Sequence, residues 1–98
     1  MTRTLLIVDD IKSNREILKN MLGGEYRILE AEHGQEALAV MTADFQAISA
    51  VLLDLGMPVM DGYEVLSYMR ESEKLSQLPV IVTTGQTDAG SEEKALKL

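Results

Sequence analysis

The stretch LLDLGMPVMDG, from Leu52 to Gly62, carries a carboxylate, Asp54, to the edge of an apolar run and then breaks the backbone at Gly56 and Pro58. Two readings compete for it. One is a strand end followed by an ordinary turn, with Asp54 as a turn or cap residue. The other is a reactive carboxylate with a shaped loop over it. The kind of sheet to which this strand belongs decides between them.

Upstream, Leu5 to Val8 is a continuous β-branched and leucine run that ends in Asp9 and Asp10. Such a run reads as a strand buried on both faces, the mark of a parallel sheet. Ser13 is read as the cap of a first helix in which Ile17, Leu18, Met21 and Leu22 recur at helical spacing, stopped by Gly23-Gly24. Tyr26 to Glu30 alternates and reads as a second strand nearer an edge. Gln35 to Thr42 reads as a short helix with Ala37, Leu38 and Met41 on one face. Ala50 to Leu53 is a third buried strand, closing on Asp54.

Downstream, Asp61 is expected to cap a helix over Tyr63 to Arg70 that turns Val65, Leu66 and Met69 inward. Pro79 to Thr83 reads as a fourth strand, and Glu92 to Leu98 begins an amphipathic helix. Strands alternating with helices give a parallel sheet with helices on both faces and right-handed crossovers. Ligands of such sheets bind outside the carboxyl ends of the strands. Here those ends carry Asp9-Asp10, Asp54 and Thr83-Thr84.

Composition narrows the functions. The 98 residues suit one domain, 1–98, and 46% hydrophobic with 26% charged residues is normal for a globular chain. With no cysteine, disulfides, thiolate metal sites and thiol nucleophiles are excluded, which fits a reducing compartment. The first ten residues, MTRTLLIVDD, do not form a signal peptide, and no apolar run is long enough to span a membrane. A net charge of −7 speaks against direct nucleic-acid binding and for a metal cation or a basic partner surface.

If the first and third strands are neighbours, Asp9, Asp10 and Asp54 converge. Two carboxylates about 5 Å apart repel by roughly 3 kcal/mol at an effective dielectric near 20. A divalent cation relieves that repulsion, and oxygen ligands without His or Cys suit Mg²⁺ or Mn²⁺ rather than zinc. An acidic pocket with a hydroxyl at its rim points to phosphoryl chemistry, one carboxylate taking the phosphoryl group as an acyl phosphate.

These residues resemble the receiver domain of two-component response regulators along the whole chain. LLIVDD with NREIL looks like its first strand, acidic pair and first helix. LLDLGMPVMDG looks like its phosphoacceptor strand and loop, and LPVIVTTG like its fourth strand with the switch hydroxyl. The resemblance implies a flavodoxin-like, doubly wound α/β fold with strand order 2-1-3-4. It makes Asp54 the phosphoacceptor. Asp10 becomes a direct Mg²⁺ ligand, Asp9 a ligand mainly through water, and the Gly56 carbonyl a further ligand. Thr84, which precedes the small Gly85, takes the switch role, with Gly85 and Leu55 beside the phosphate. A histidine kinase or phosphotransfer protein would be the donor, and an effector domain or partner protein the recipient of the signal, in the cytoplasm. Such a domain catalyses only its own phosphotransfer and slow dephosphorylation and is not counted an enzyme.

Family members continue into a fifth strand and helix, the strand ending in a lysine that pairs with the acidic pocket. This sequence stops at Leu98, and Lys94 and Lys97 do not match that lysine. The sequence reading is therefore a receiver truncated before the fifth strand. An alternative of another class is a non-switching module that self-associates, as a dimer for example, through the fourth strand or fourth helix, since an apolar edge such as Val80 to Val82 invites pairing.

Simpler roles are assigned elsewhere. His33 is read as a surface loop residue, and Met57, Pro58 and Met60 as loop shape and packing. The methionines at helical spacing are read as core. The loop lacks the ligand pattern of an EF-hand, and no phosphate-binding glycine motif is present.

Overall fold

The computed structural model describes residues 3–57 and 60–83. Its order is β1 (Arg3–Val8), α1 (Lys12–Leu22), β2 (Tyr26–Ala31), α2 (Gly34–Asp44), β3 (Ile48–Leu53), α3 (Gly62–Glu71), a short 3-10 turn at Leu75–Gln77, and β4 (Val80–Val82). The strands form one parallel sheet in the order β2-β1-β3-β4, as the family resemblance implies. The expected fourth helix, Glu92 to Leu98, lies outside the described residues.

The sheet separates two apolar layers, and β1 supplies both. Leu6 and Val8 join Val51 and Leu53 of β3 against Ala37 and Met41 of α2 and Val65 and Met69 of α3. Leu5 and Ile7, with Leu52, face the other way and are covered by Leu18 and Leu22 of α1. Successive side chains of a strand point to opposite faces, so an unbroken apolar run is what a doubly covered strand requires. Helix α1 therefore sits on one face, and α2 and α3 on the other.

Three sequence expectations are corrected by the structure. Ser13 does not cap α1; the N-cap is Ile11, which makes no side-chain cap bond, and Ser13 falls inside the first turn. The segment between β1 and α1 is short enough that the Asp9 carboxylate accepts from the Ile11 N–H at 2.9 Å instead. Ile17 and Met21 do not share the inward face with Leu18 and Leu22; they are 56% and 72% exposed. A helix turns about 100° per residue, so positions 18 and 22 share a face that 17 and 21 cannot reach fully. Met21 is accordingly not a core methionine, whereas Met41, Met57 and Met69 are buried. His33 is exposed and outside α2, as expected, and it also caps that helix, its Nδ1 accepting from the Glu36 N–H at 3.2 Å. Finally, β4 ends at Val82, so Thr83 stands just past the strand.

Asp61 caps α3 as the sequence suggests, Oδ1 accepting from the Glu64 N–H at 3.0 Å.

Candidate functional site

Strand register builds the site. Val8 of β1 is level with Ala31 of β2 and Leu53 of β3, and Leu53 is level with Val82 of β4. All four strands therefore end at one edge, and the next residue of each emerges there. Backbone bonds continue one step beyond the strands: Asp9 N–H to the Ala31 carbonyl at 3.1 Å, Asp54 N–H to Val8 at 3.0 Å and Thr83 N–H to Leu53 at 2.9 Å. Asp9 and Asp54 thus stand side by side on rigid elements.

Carboxylate oxygens of Asp9, Asp10 and Asp54 all lie within 4.8 Å of one another. Asp9 and Asp54 are 4% and 8% exposed, while Asp10 is open to solvent. Buried charges need partners. Asp9 Oδ1 has the Ile11 N–H, and Asp54 Oδ1 accepts from the Gly56 N–H at 3.0 Å. Both are bonds to the amide two residues on, so each carboxylate is held by the turn that follows its own strand.

The bond from Gly56 does not fully offset the surroundings. Burial pushes the Asp54 carboxyl above its ordinary value, and the charges of Asp9 and Asp10 and a hydrogen bond shared with Asp10 add to the rise; the Gly56 N–H opposes it. The neighbouring anions that raise the proton affinity of Asp54 would equally favour a bound cation. The donor set is all oxygen, without His or Cys, and fits a hard divalent ion such as Mg²⁺. Among the described residues, the structure thus brings together Asp9, Asp10 and Asp54 as the sequence implies. Thr84, Gly85 and Pro58 lie outside the described residues.

Leu55 is buried. Its carbonyl accepts from the Gly62 N–H at 3.2 Å, which ties the loop to the start of α3. Beside Asp9, a cavity of about 250 Å³ opens between α1 and the end of β4, lined by Asp9, Asn14, Ile17, Leu18 and Thr83. The Thr83 hydroxyl is buried without a hydrogen-bond partner among the described residues.

One residue at the site went unread in the sequence. Arg15 is 6% exposed. Its Nη1 donates to the Asp9 carbonyl at 2.7 Å, its Nε to Glu30 Oε1 at 3.2 Å, and its Nη2 lies 3.7 Å from Glu32 Oε1. Lys19 reaches the other oxygen of Glu30 at 3.1 Å. The signal was present: Arg15, Leu18 and Leu22 stand at i, i+3 and i+7 and so share one face. An apolar count skips an arginine.

Residues 5–98 match the response regulator receiver domain family. A chemotaxis protein CheY homolog of Campylobacter jejuni is 37% identical over 91 residues, covering 91% of this chain and 68% of that protein. A probable cyclic di-GMP phosphodiesterase of Vibrio cholerae is 36% identical over 95 residues, which are 97% of this chain but 21% of that protein. The crystal structure of a response regulator receiver protein from Pseudomonas putida superposes with a TM-score of 0.87 at 26% identity, covering 99% of this chain and 79% of that one. The match therefore takes in most of a short relative and about a fifth of a long one. Aligned strand ends, the carboxylates gathered there and the match over residues 5–98 agree: this chain belongs to the response regulator receiver domain family.

Proposed function

We propose that Asp54 is the phosphoacceptor of a two-component signalling domain, with a histidine kinase or phosphotransfer protein as donor. The observation that carries this reading is the placement of Asp54: buried at the end of β3, one oxygen held by the Gly56 N–H, two further carboxylates within 4.8 Å. Fixing Oδ1 leaves the second oxygen as the attacking atom. Its lone pair forms the new O–P bond as the donor's N–P bond breaks, the leaving electron pair staying on the imidazole nitrogen. The product is an acyl phosphate on Asp54.

Asp9, Asp10, Asp54 and the Gly56 carbonyl would hold Mg²⁺ (or Mn²⁺), which when bound supplies charge neutralisation for the phosphoryl oxygens. The protein's own contribution is position. Asp9 and Asp54 are anchored by backbone bonds on adjacent strands, so little reorganisation is needed at the moment of transfer. Leu55, with its side chain buried, would face the phosphate through its backbone, next to Gly85. Thr84 is assigned the switch role, its hydroxyl turning toward the phosphoryl group and biasing a two-state surface read by an effector. This reading places the domain in the cytoplasm, where such donors act; among the described residues no helix is long and apolar enough to cross a membrane. Among the described residues, the acidic cluster supports this reading over the non-switching assembly module.

The test is incubation with acetyl phosphate and Mg²⁺, followed by intact-mass measurement. A base-labile gain of one phosphoryl group, absent in Asp54→Asn, is expected. A folded wild-type chain that gains nothing overturns the assignment.

A further inference from the structure

We propose that Arg15 is a positioning residue for the acidic cluster: through the Asp9 carbonyl it fixes the peptide that carries Asp10. The inference rests on reading the cluster as a Mg²⁺ site and adds a residue to it.

Asp9 joins β1 to α1, and its N–H, its carbonyl and Oδ1 each have a partner. Its N–H is bound to the Ala31 carbonyl, and its Oδ1 accepts from Ile11. Its carbonyl accepts from Arg15 Nη1 at 2.7 Å, a buried bond. Donors that carry charge make the shorter and stronger hydrogen bonds, and this one is short. The carbonyl belongs to the same planar unit as the Asp10 N–H. Turning it turns the Asp10 Cα, and with it the exposed carboxylate of the cluster.

The guanidinium is itself braced. Glu30 and Glu32, on either side of Ala31 at the end of β2, face its Nε and Nη2, and Lys19 holds the far oxygen of Glu30. Arg15 therefore ties three elements together: α1 that carries it, the exit of β1 and the end of β2. Its charge is met by two carboxylates that lie outside the Asp9-Asp10-Asp54 set, so orientation rather than bare charge is what it delivers to the cluster. A lysine could reach one partner as a point charge, but it lacks the planar fork that addresses a carbonyl and two carboxylates at once. Mg²⁺ demands near-ideal octahedral geometry, so a tilt of one ligand is felt as lost affinity.

The experiment is Mg²⁺ titration by calorimetry at low temperature, on wild type, Arg15→Met, Arg15→Lys and Glu30→Gln, each checked for native far-UV circular dichroism. Arg15→Met is expected to weaken Mg²⁺ binding by about tenfold or more, as losses of outer-shell partners do. Arg15→Lys should recover part of it. Glu30→Gln, which keeps the bond to the Asp9 carbonyl and an oxygen that can still accept from Arg15 Nε, should lose clearly less than Arg15→Met. A folded Arg15→Met that binds like wild type overturns the inference alone. So does an equal loss in Arg15→Met and Glu30→Gln. A wild type without Mg²⁺ affinity overturns the reading beneath the inference, and the inference with it. Should Arg15→Met not fold, Arg15→Lys carries the test: affinity below that of Glu30→Gln supports the positioning role, and equal affinity overturns it.

Discussion

A Cβ on Gly62 would come within 2.6 Å of the Leu55 Cα and 2.7 Å of the Asp54 carbonyl oxygen. The first turn of α3 therefore rests directly on the loop that leaves Asp54. Two of the atoms met are backbone, which cannot swing aside as the end of a side chain can. The Asp61-Gly62 pair divides the work: the aspartate caps the helix, and the glycine lets it approach. Gly62→Ala is expected to cost about 1–3 kcal/mol, the range for overpacking a well-filled site. The loop would shift as well, so Mg²⁺ affinity should fall with stability. Urea unfolding measures the first and calorimetric titration the second; an unchanged midpoint would contradict the close approach.

Asp54 should destabilise the fold at neutral pH. Its folded-state pKa is raised by burial and by Asp9 and Asp10, so the folded protein holds a proton that the unfolded chain, at 3.8, has already released. Stability from such a group is fully present below the unfolded value and is lost as pH rises through the folded one. Asp54→Asn removes that loss. Its melting temperature should exceed that of the wild type at pH 7, and the gap should close as pH falls toward 4. Mg²⁺ should narrow the gap at pH 7 by stabilising the wild type more. Thermal scans from pH 3.5 to 7.5, with and without Mg²⁺, read both effects; a variant less stable than wild type at pH 7 without metal would refute the argument.

The sheet was legible in the sequence because a strand covered on both faces has to be apolar throughout, and Leu5 to Val8 and Ala50 to Leu53 are. The site was legible because aspartates directly follow two such runs. Helix α1 was harder. Four apolar residues at 17, 18, 21 and 22 leave its rotation open by a residue, and what settles it is Arg15, which a hydrophobic pattern discards. The partners that let an arginine bury, Glu30, Glu32 and the Asp9 carbonyl, come from other elements, so no local pattern announces them. The Ser13 cap failed for a related reason: Asp9 is already committed to the Ile11 N–H, and the helix starts before Ser13.

Asp61 is close to Asp54 in sequence, yet its carboxylate serves the Glu64 N–H at the start of α3. Asp61→Ala should therefore cost about 1 kcal/mol of stability, the usual loss for an N-cap. Phosphorylation of Asp54 by acetyl phosphate should proceed at near the wild-type rate below the melting transition. Asp61→Asn and Asp61→Ser, which keep an acceptor at the cap, should restore most of the lost stability. If Asp61→Ala abolished phosphotransfer while remaining folded, the carboxylate would belong to the reaction and not to the helix.

Glu30 should give a pH dependence of opposite sign to that of Asp54. Burial alone would raise its pKa, but hydrogen bonds from Lys19 and Arg15, with the charges they carry, outweigh that and leave it below 4.5. A lowered pKa contributes stability above the unfolded value and loses it as pH falls through the folded one. Glu30→Gln should thus be less stable than wild type at neutral pH and indistinguishable from it well below pH 4. The Glu30 side chain is 34% exposed, so the loss should be about 1 kcal/mol or less. Salt should reduce it further, since Lys19 meets Glu30 at the surface. The same thermal scans that follow Asp54→Asn decide the matter: the two variants should diverge from wild type in opposite directions at pH 7 and converge on it in acid, and a Glu30→Gln curve that parallels wild type at every pH would remove Glu30 from the network that braces Arg15.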